Sequence, residues 1–313
     1  MSIHLHKYQA RAVLLVTGMD AGDYLQSQFS ADLDPSSTEP LATYGLWLSR
    51  KGKVEGDGFV LRNPDNEYLV ISYHCRAETL AEKIVANVIA DDVGIEDLTS
   101  QCAGISVWGK EATEATEAID LKTPSASGWT SHGGVKIFAG RRSRYNGFEL
   151  VGPIEEIDSL LHSLLAEVDE RGGRELNETE VHLARIEAGI PAIPDELGPN
   201  DLPQEGFLEK DAVSFDKGCF LGQEVMARLR SLGGVQRRLW VVKPHETGLS
   251  TPSEIFLEDK SVGVLKTRYS KDNKEIGVAM VKTKYVQNAR LNGISTVPNE
   301  TPSISMLHEF ISQ

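Results

Sequence analysis

The chain has 313 residues, of which 40% are hydrophobic and 25% are charged, and its 46 acidic against 32 basic residues give a formal net charge of −14. This composition is that of an ordinary globular protein, and the length favours about two domains. The acidic charge argues against a general nucleic-acid-binding protein, and no apolar run approaches the roughly 18 residues of a membrane span. The first residues lack the pattern of a signal peptide, so we expect a cytoplasmic protein with neither nucleic-acid nor membrane partners.

The first half of the chain alternates strand-like and helix-like patterns. Apolar and β-branched runs predict strands, at residues 12–17, 54–61, 68–72, 105–108, 135–139 and 148–151. Apolar residues three or four apart predict helices, after Asp20, around Leu80 and Ile84, and at residues 111–119 and 154–168. Together these elements predict a mixed α+β body.

Two further helices precede a change of pattern. Asn177 and Glu180 form a capping-box pattern at the start of one helix, which ends at Gly189, and another helix is predicted over residues 223–232. From Arg237 onwards, short β-leaning runs recur with turn residues between them, at residues 238–242, 254–257, 262–269 and 276–281. The sequence therefore predicts an α+β body over residues 1–235 and a small all-β domain over residues 236–313.

The three cysteines, Cys75, Cys102 and Cys219, are far apart and form no CxxC pair. An odd number at this spacing disfavours a disulfide framework. It also disfavours a zinc site or an iron–sulfur cluster held by this chain alone, so we expect no metal site.

Cys219 lies in the most distinctive segment of the chain, DKGCFLGQE. It comes just before a predicted helix, with Lys217 two residues away and arginines further along the helix, and both features favour a thiolate over a thiol. The alternative is that Cys219 is a small buried hydrophobe, as most free cysteines are. Residues 217–243 carry six basic residues and one acid, and residues 136–144 form a second basic island. Such islands indicate either a small anionic ligand or a solvated surface.

A second segment, RIEAGIP, ends the capped helix. Glu187 in its last turn lies at the pole of the helix dipole that disfavours a carboxylate. An N–H-rich ligand edge would compensate this charge. Otherwise Glu187 pairs with Arg185 or faces water, and the pattern leaves both alternatives open.

The segment KGCFLGQEVMAR resembles the K-G-C-[FY]-x-G-Q-E-x-x-x-R signature of the YgfZ family, without a departure. Other segments resemble the family in the same order, among them VTGMDAGDYLQSQFSADL, SRKGKVEGDGFV, RIEAGIP and SVGVLKTRYS. YgfZ proteins are folate-binding relatives of the glycine-cleavage T-protein, an aminomethyltransferase, and they assist iron–sulfur proteins. The resemblance implies a clover-leaf of three subdomains around a central hole that receives tetrahydrofolate, with a C-terminal antiparallel β-barrel.

The resemblance also implies folate-binding roles for single residues. The glutamate that grips the pterin in the T-protein corresponds to Glu187, and a hairpin carboxylate near the folate corresponds to Asp57. Arg228 and Arg237 become candidates for binding the anionic folate tail. One departure concerns catalysis: the T-protein hairpin carries two adjacent acids, whereas this chain reads Glu55-Gly56-Asp57, so the pair is broken.

For the cysteine motif, the resemblance implies a redox-active or sulfur-handling thiolate at Cys219. Lys217 would tune this thiolate, and Gln223, Glu224 and Arg228 would shape its site by hydrogen bonds.

Three functions follow as hypotheses. The first is a folate-dependent factor that assists the assembly or repair of iron–sulfur clusters in client enzymes. The second is a true aminomethyltransferase, which needs a general acid or base near the folate, with Asp57 as the candidate. The third is a folate-binding scaffold without chemistry of its own, in which Cys219 is merely packed.

Overall fold

The computed structural model describes residues 2–63, 65–232, 234–245, 248–272, 274–300 and 302–310. Its strands are β1 (His4–Tyr8), β2 (Ala12–Thr17), β3 (Leu41–Leu48), β4 (Val54–Asn63), β5 (Glu67–Ser72), β6 (Gly94–Asp97), β7 (Cys102–Trp108), β8 (Trp129–His132), β9 (Val135–Ala139), β10 (Gly147–Pro153), β11 (Arg174–Glu175), β12 (Arg237–Pro244), β13 (Ser253–Leu257), β14 (Lys260–Lys271), β15 (Lys274–Lys282) and β16 (Ile304–Glu309). Its helices are α1 (Ala21–Gln28), α2 (Ala77–Val85), α3 (Ala112–Glu117), α4 (Ile154–Glu170), α5 (Glu178–Glu187), α6 (Gln223–Leu232) and α7 (Val286–Asn292). The strands form three sheets, which confirms the predicted α+β class.

The first sheet is antiparallel, with the strand order β3-β4-β5-β2-β6. Helices α1 and α2 pack on it, and their buried residues Leu25 and Leu80 share a core with Val60 of β4. Strand β4 also contributes Phe59 to a different core, so it is buried along nearly its whole length. A polar residue within β4, such as Asp57, is therefore carried into the interior.

The second sheet has the order β11-β1-β7-β10-β9-β8 and is antiparallel except for the β1–β11 pair. Helices α3 and α4 pack on it, because Ile157 and Leu164 of α4 recur on one face and enter its core. Other side chains of this sheet, Phe138 and Val151, form the core that contains Phe59. The first and second sheets therefore share an apolar core.

The third sheet is antiparallel, with the order β13-β14-β15-β12-β16. Between its edge strands, Ser295 forms a bridge to Phe256 of β13 and Ile294 forms one to Ile304. The strands predicted after Arg237 are thus present, but helix α7 lies between β15 and β16, so this part of the chain is not all-β.

The third sheet does not have a core entirely of its own. Leu239 and Val278 of this sheet share one apolar cluster with Leu46 of β3 and Phe220 of the cysteine segment. The division of the chain at residue 235 stays a prediction, since β12 begins at Arg237 while this core joins both parts.

The predicted helices and strands are present with small shifts at their ends. The sequence patterns missed β1, β3, β6, β8, β11, β16 and α7. All of them except β3 have seven residues or fewer, which is too short for a clear periodicity, whereas β3 is eight residues long and largely apolar and was overlooked. None of the described helices is long and apolar enough to cross a membrane.

Candidate functional site

Asp57 is buried in the middle of β4, with 4% of its surface exposed. The Tyr44 hydroxyl on the neighbouring strand donates to its Oδ2 at 2.8 Å, and the Cys75 thiol and Ser72 hydroxyl donate to Oδ1 at 3.3 and 3.4 Å. Burial raises the pKa of Asp57, although these three donors favour the carboxylate and limit the rise. A raised pKa means that this carboxyl group holds a proton more readily than an exposed aspartate does.

Arg142 lines the same small cavity as Asp57 and is held there by buried partners. Its guanidinium lies over the rings of Tyr8 and Tyr73, 4.3 and 3.7 Å from their centroids. Its Nε is 3.8 Å from Oε1 of Glu149, whose Oε2 accepts a hydrogen bond of 2.6 Å from Tyr8. This network fixes the loop that follows β9. Arg141, the residue before Arg142, lies in the same loop.

Arg141 lies over the ring of Tyr44 at 4.4 Å and forms an ion pair with Asp211. Within the described part of the chain, its buried Nε and Nη2 have no hydrogen-bond partner. A buried donor left unpaired costs about 1–3 kcal/mol, so an acceptor oxygen of a ligand would be stabilising here. The cavity that Arg141 shares with Asp57 has a volume of about 10 Å³, which is room for about one water molecule.

Long side chains leave little space beside Asp57. Arg141, Arg142 and Arg185 all line the small cavity beside Asp57. Each of these long side chains is held inside by a carboxylate partner, as Arg185 is by Glu196. The cavity beside Asp57 is therefore small in this conformation, and the central folate-binding hole stays a prediction.

Two histidines near the cavity are neutral. His182 stacks on Tyr269 and on His74, with ring centroids 4.3 and 5.8 Å apart, and its Nδ1 accepts a hydrogen bond of 2.9 Å from Arg185. Burial, and then the charge of Arg185, lower the pKa of His182 to about 3. The same two causes lower the pKa of His74.

Lys217 anchors the cysteine segment to the end of α1. Its Nζ donates to the backbone carbonyls of Gln26, Phe29 and Ala31 at 2.7, 2.9 and 2.8 Å. Burial lowers its pKa to about 8. An ammonium group has three donors, and all three are used in this anchor, so none is left for the Cys219 thiol.

Cys219 is exposed, whereas Cys75 and Cys102 are buried. Lys217, two residues before Cys219, and Phe220, the residue after it, are both buried. The segment thus holds Cys219 at the surface between two fixed points, and the alternative of a buried hydrophobe does not apply. In the described ranges, no group of three or more His, Cys, Asp or Glu residues could hold a metal ion.

The other residues predicted from the cysteine motif lie on the surface or serve structural contacts. Arg228 pairs with Glu224 at 3.0 Å on α6, and these side chains are 66% and 86% exposed. Gln223 is partly buried at the start of the same helix. Arg237 donates to Glu205 at 2.7 Å, so the guanidinium proposed for the folate tail already has a carboxylate partner.

Glu187 is half-exposed at the end of α5 and forms an ion pair with Lys274 of β15. This lysine, rather than a ligand, compensates the carboxylate in the last turn of the helix. Arg185, the partner considered from the sequence, is instead paired with buried Glu196 through two hydrogen bonds of 2.7 and 2.8 Å. The structure therefore does not bring Glu187 to the cavity beside Asp57.

Comparison with known proteins identifies the family of this chain. A family model described as the GCVT N-terminal domain matches residues 8–217. The chain belongs to the GCVT family.

Similar proteins are named aminomethyltransferases. The chain is 25% identical over 288 residues to the aminomethyltransferase of Caldanaerobacter subterraneus subsp. tengcongensis, covering 88% of this chain and 75% of that protein. It is 22% identical over 285 residues to that of Thermoanaerobacter sp., covering 88% and 77%. The crystal structure of glycine cleavage system aminomethyltransferase T from Bartonella henselae matches the whole chain and 87% of its own length, with a TM-score of 0.79 at 16% identity. That similarity shows the fold.

None of the three groups around Asp57, which are Tyr44, Ser72 and Cys75, was recognised as a site residue from the sequence. Tyr44 lies on the unpredicted strand β3, and Ser72 ends β5 without a distinguishing pattern. Arg141 and Arg142 stood out as a basic island, but the island alone could not tell a solvated surface from a buried pair. Only the stacking on Tyr44 and Tyr73 distinguishes the two.

Proposed function

We propose that this protein binds tetrahydrofolate and transfers one-carbon units of the aminomethyl type, with Asp57 as the proton-exchanging group. The observation that carries this proposal is a carboxyl group of raised pKa, buried in a GCVT fold and bonded to Tyr44. The names of the relatives support the same reaction class. The cytoplasmic location expected from the sequence is kept as part of the proposal.

The chemistry requires a group that can both accept and release a proton. A folate nitrogen that attacks an aminomethyl carbon must lose its proton, and the departing amine must gain one. Asp57 can take the first proton and return it to the leaving amine. The Tyr44 hydroxyl orients the carboxylate, and the unpaired Nε and Nη2 of Arg141 are suited to an acceptor oxygen of the substrate.

Tetrahydrofolate does not fit the cavity of about 10 Å³ beside Asp57 as it stands. Binding at Asp57 therefore requires Arg141 to move, which would break its pair with Asp211 on the protein surface. In this proposal the three sheets surround the opened site as three subdomains, and the third sheet closes as a barrel. The bridges formed by Ile294 and Ser295 support such a closure.

The test is a turnover assay of the full chain with tetrahydrofolate and an aminomethyl donor. Asp57→Asn should lower the rate by about 100-fold or more, as expected for a general acid–base group, while tetrahydrofolate still binds. Glu55→Gln is the matched control, because Glu55 lies two residues away on β4 and pairs with Lys83 at 3.3 Å. No turnover with any donor, or full activity of Asp57→Asn, would contradict the proposal.

The exposure of Cys219 favours a second candidate function, assistance to iron–sulfur client or assembly proteins as implied by the YgfZ-like signature. A thiol held at the surface between buried anchors can reach a partner protein, whereas Cys75 and Cys102 cannot. Cys219→Ala should leave the fold intact and lower the activity of iron–sulfur enzymes in cells under oxidative stress. Cys102→Ser is the matched control. Unchanged client activity in Cys219→Ala cells would remove this candidate.

A further inference from the structure

An apolar pocket lies between the first and the second sheet. It has a volume of about 600 Å³, within the range of small-molecule sites. The first sheet contributes Leu15 and Leu69 to its lining, and the second sheet contributes Trp129 and Val151. No described residue lines both this pocket and the small cavity beside Asp57. The pocket is therefore separate from the site of the proposed reaction.

The pocket continues the apolar core that the two sheets share. Val13 and Val151 are buried members of that core and also line the pocket. Side chains two residues apart lie on the same face of a strand, so Leu15 extends the face of Val13. Leu15, Leu69 and Trp129 are only partly buried, although all three line the pocket. An apolar group bound between them would remove this surface from water, which is favourable.

Lys136 of β9 brings one cation to this apolar surface. It lies on the same strand face as Phe138, a buried member of the shared core. Its Nζ lies 4.4 Å from the centroid of the Trp129 ring, and among the residues that the structure describes it has neither a hydrogen bond nor an ion pair. Burial lowers the pKa of Lys136, and the charge of Glu67 offsets this only in part. An anion beside the ammonium group would compensate its lost hydration.

The carboxylates that line the pocket have other roles. Glu155 and Glu156 lie in the first turn of α4, where the helix dipole favours negative charge. Oε2 of Glu156 also accepts a hydrogen bond of 2.9 Å from the N–H of Gly134. Glu67 is exposed at the start of β5. With these three acids and one lysine in the lining, the pocket suits a ligand with a single negative charge and disfavours one with several.

We propose that this pocket binds an amphiphilic monocarboxylate, with its apolar chain between the two sheets and its carboxylate at Lys136. The leucine, valine and tryptophan side chains of the lining contact the chain. The Lys136 ammonium donates a charge-assisted hydrogen bond to the carboxylate. This is a second ligand site, and it does not depend on the reaction proposed at Asp57.

The test is calorimetric titration of the full chain with decanoate, with decanol and decylamine as ligands of the same chain length. Decanoate should bind with a Kd about tenfold or more below that of decanol, as expected for a charge-assisted hydrogen bond. Decylamine should bind most weakly, because its ammonium group meets that of Lys136. Tighter binding of decylamine than of decanoate, or no binding of decanoate to the folded wild-type chain, would overturn the proposal.

Two variants separate the head of the ligand from its chain. Lys136→Gln should raise the Kd of decanoate by about tenfold or more and leave that of decanol within about twofold, with the exposed Lys110→Gln as the control. Leu69→Trp places a larger side chain in the pocket and should weaken both ligands, whereas Leu307→Trp at the surface of the third sheet should weaken neither. Circular dichroism shows whether each variant is folded. Wild-type affinity for decanoate in folded Lys136→Gln and Leu69→Trp would overturn the site.

Discussion

At the scale of single residues, Arg142 and Arg185 are buried arginines that each pair with a buried carboxylate. Arg185 and Glu196 are the clearest pair, since their side chains are 2% and 0% exposed. Glu196 also accepts a hydrogen bond of 2.8 Å from the backbone N–H of Ala192. Such a pair fixes one arrangement of the interior, because either charge without its partner is costly to bury.

Arg185→Met should therefore lower the free energy of unfolding by about 3–5 kcal/mol, because it leaves Glu196 charged and uncompensated. Urea unfolding followed by circular dichroism measures this change. The exposed Arg228→Met is the control and should change stability by less than about 0.5 kcal/mol. Equal stabilities of the two variants would show that the buried pair does not contribute as described.

The partners of these residues explain what the sequence could and could not predict. The segment RIEAGIP correctly marked the end of α5, but the pairing of Glu187 with Arg185, one of the alternatives left open, is not present, because Arg185 pairs with Glu196. Which carboxylate pairs with Arg185 depends on tertiary packing, because Glu196 reaches Arg185 only when the turn after α5 is folded. Asp57 was recognised because its segment resembles a known hairpin.

At the scale of elements, the cysteine segment is a loop fastened by buried groups. Gly222 has a φ of +86°, and a Cβ at this position would lie 2.7 Å from the carbonyl oxygen of Ser49. The glycine thus permits both the backbone conformation and the close approach to the β3–β4 turn. Together with Lys217 and Phe220, it presents Cys219 in a defined position.

Lys217→Met should loosen this loop, because it removes the donor shared by three buried carbonyls. We expect the free energy of unfolding to fall by about 2 kcal/mol or more. Thermal unfolding measures this, and the exposed Lys243→Met serves as the control. A Tm of Lys217→Met equal to that of wild type would mean that the anchor contributes nothing.

The capping box of α5 was predicted from the sequence and is present. Asn177 Oδ1 accepts from the Glu180 N–H at 3.0 Å, and Glu180 Oε2 accepts from the Asn177 N–H at 2.9 Å. The structure adds two ion pairs to Glu180, from Arg174 and Lys271, which no local pattern could reveal. The hydrogen bond from Arg174 is the main cause that lowers the pKa of Glu180 from 4.5 to about 2.

This shift predicts a pH-dependent contribution to stability. Because the folded-state pKa lies below the unfolded value, ionised Glu180 stabilises the fold fully above about pH 4.5 and loses this contribution as the pH falls towards 2. Glu180→Gln should therefore have a lower Tm than wild type at pH 7, with the difference shrinking below pH 4.5. A difference that stays constant down to pH 3 would contradict the assigned cause.

At the scale of the whole molecule, the third sheet and the first share a core. Leu46 of β3 and Leu239 of β12 belong to one apolar cluster, so neither part can unfold without exposing the other. We expect one cooperative transition in differential scanning calorimetry rather than two. Two separable transitions would support the predicted division at residue 235 as two independent domains.

The global arrangement was predictable only in part. Periodicity located most helices and strands, and the ordered resemblance of several segments indicated the GCVT fold. The arginine–carboxylate pairs near Asp57 could not be predicted, because they depend on which arginines lie in the interior and on whether these reach Asp211, Glu149 or Glu196. The pair of Arg141 and Asp211 joins residues 70 apart in sequence, and the other two pairs connect different elements or loops, so helix or strand periodicity does not reveal them.

Calorimetric titration of the wild-type chain and of Asp57→Asn with tetrahydrofolate tests the central claim most directly. The account predicts saturable binding of one tetrahydrofolate per chain to both proteins. Asp57 then contributes to proton exchange and not to affinity, so Asp57→Asn should bind but fail to turn over. Absence of binding to the folded wild-type chain would contradict the account.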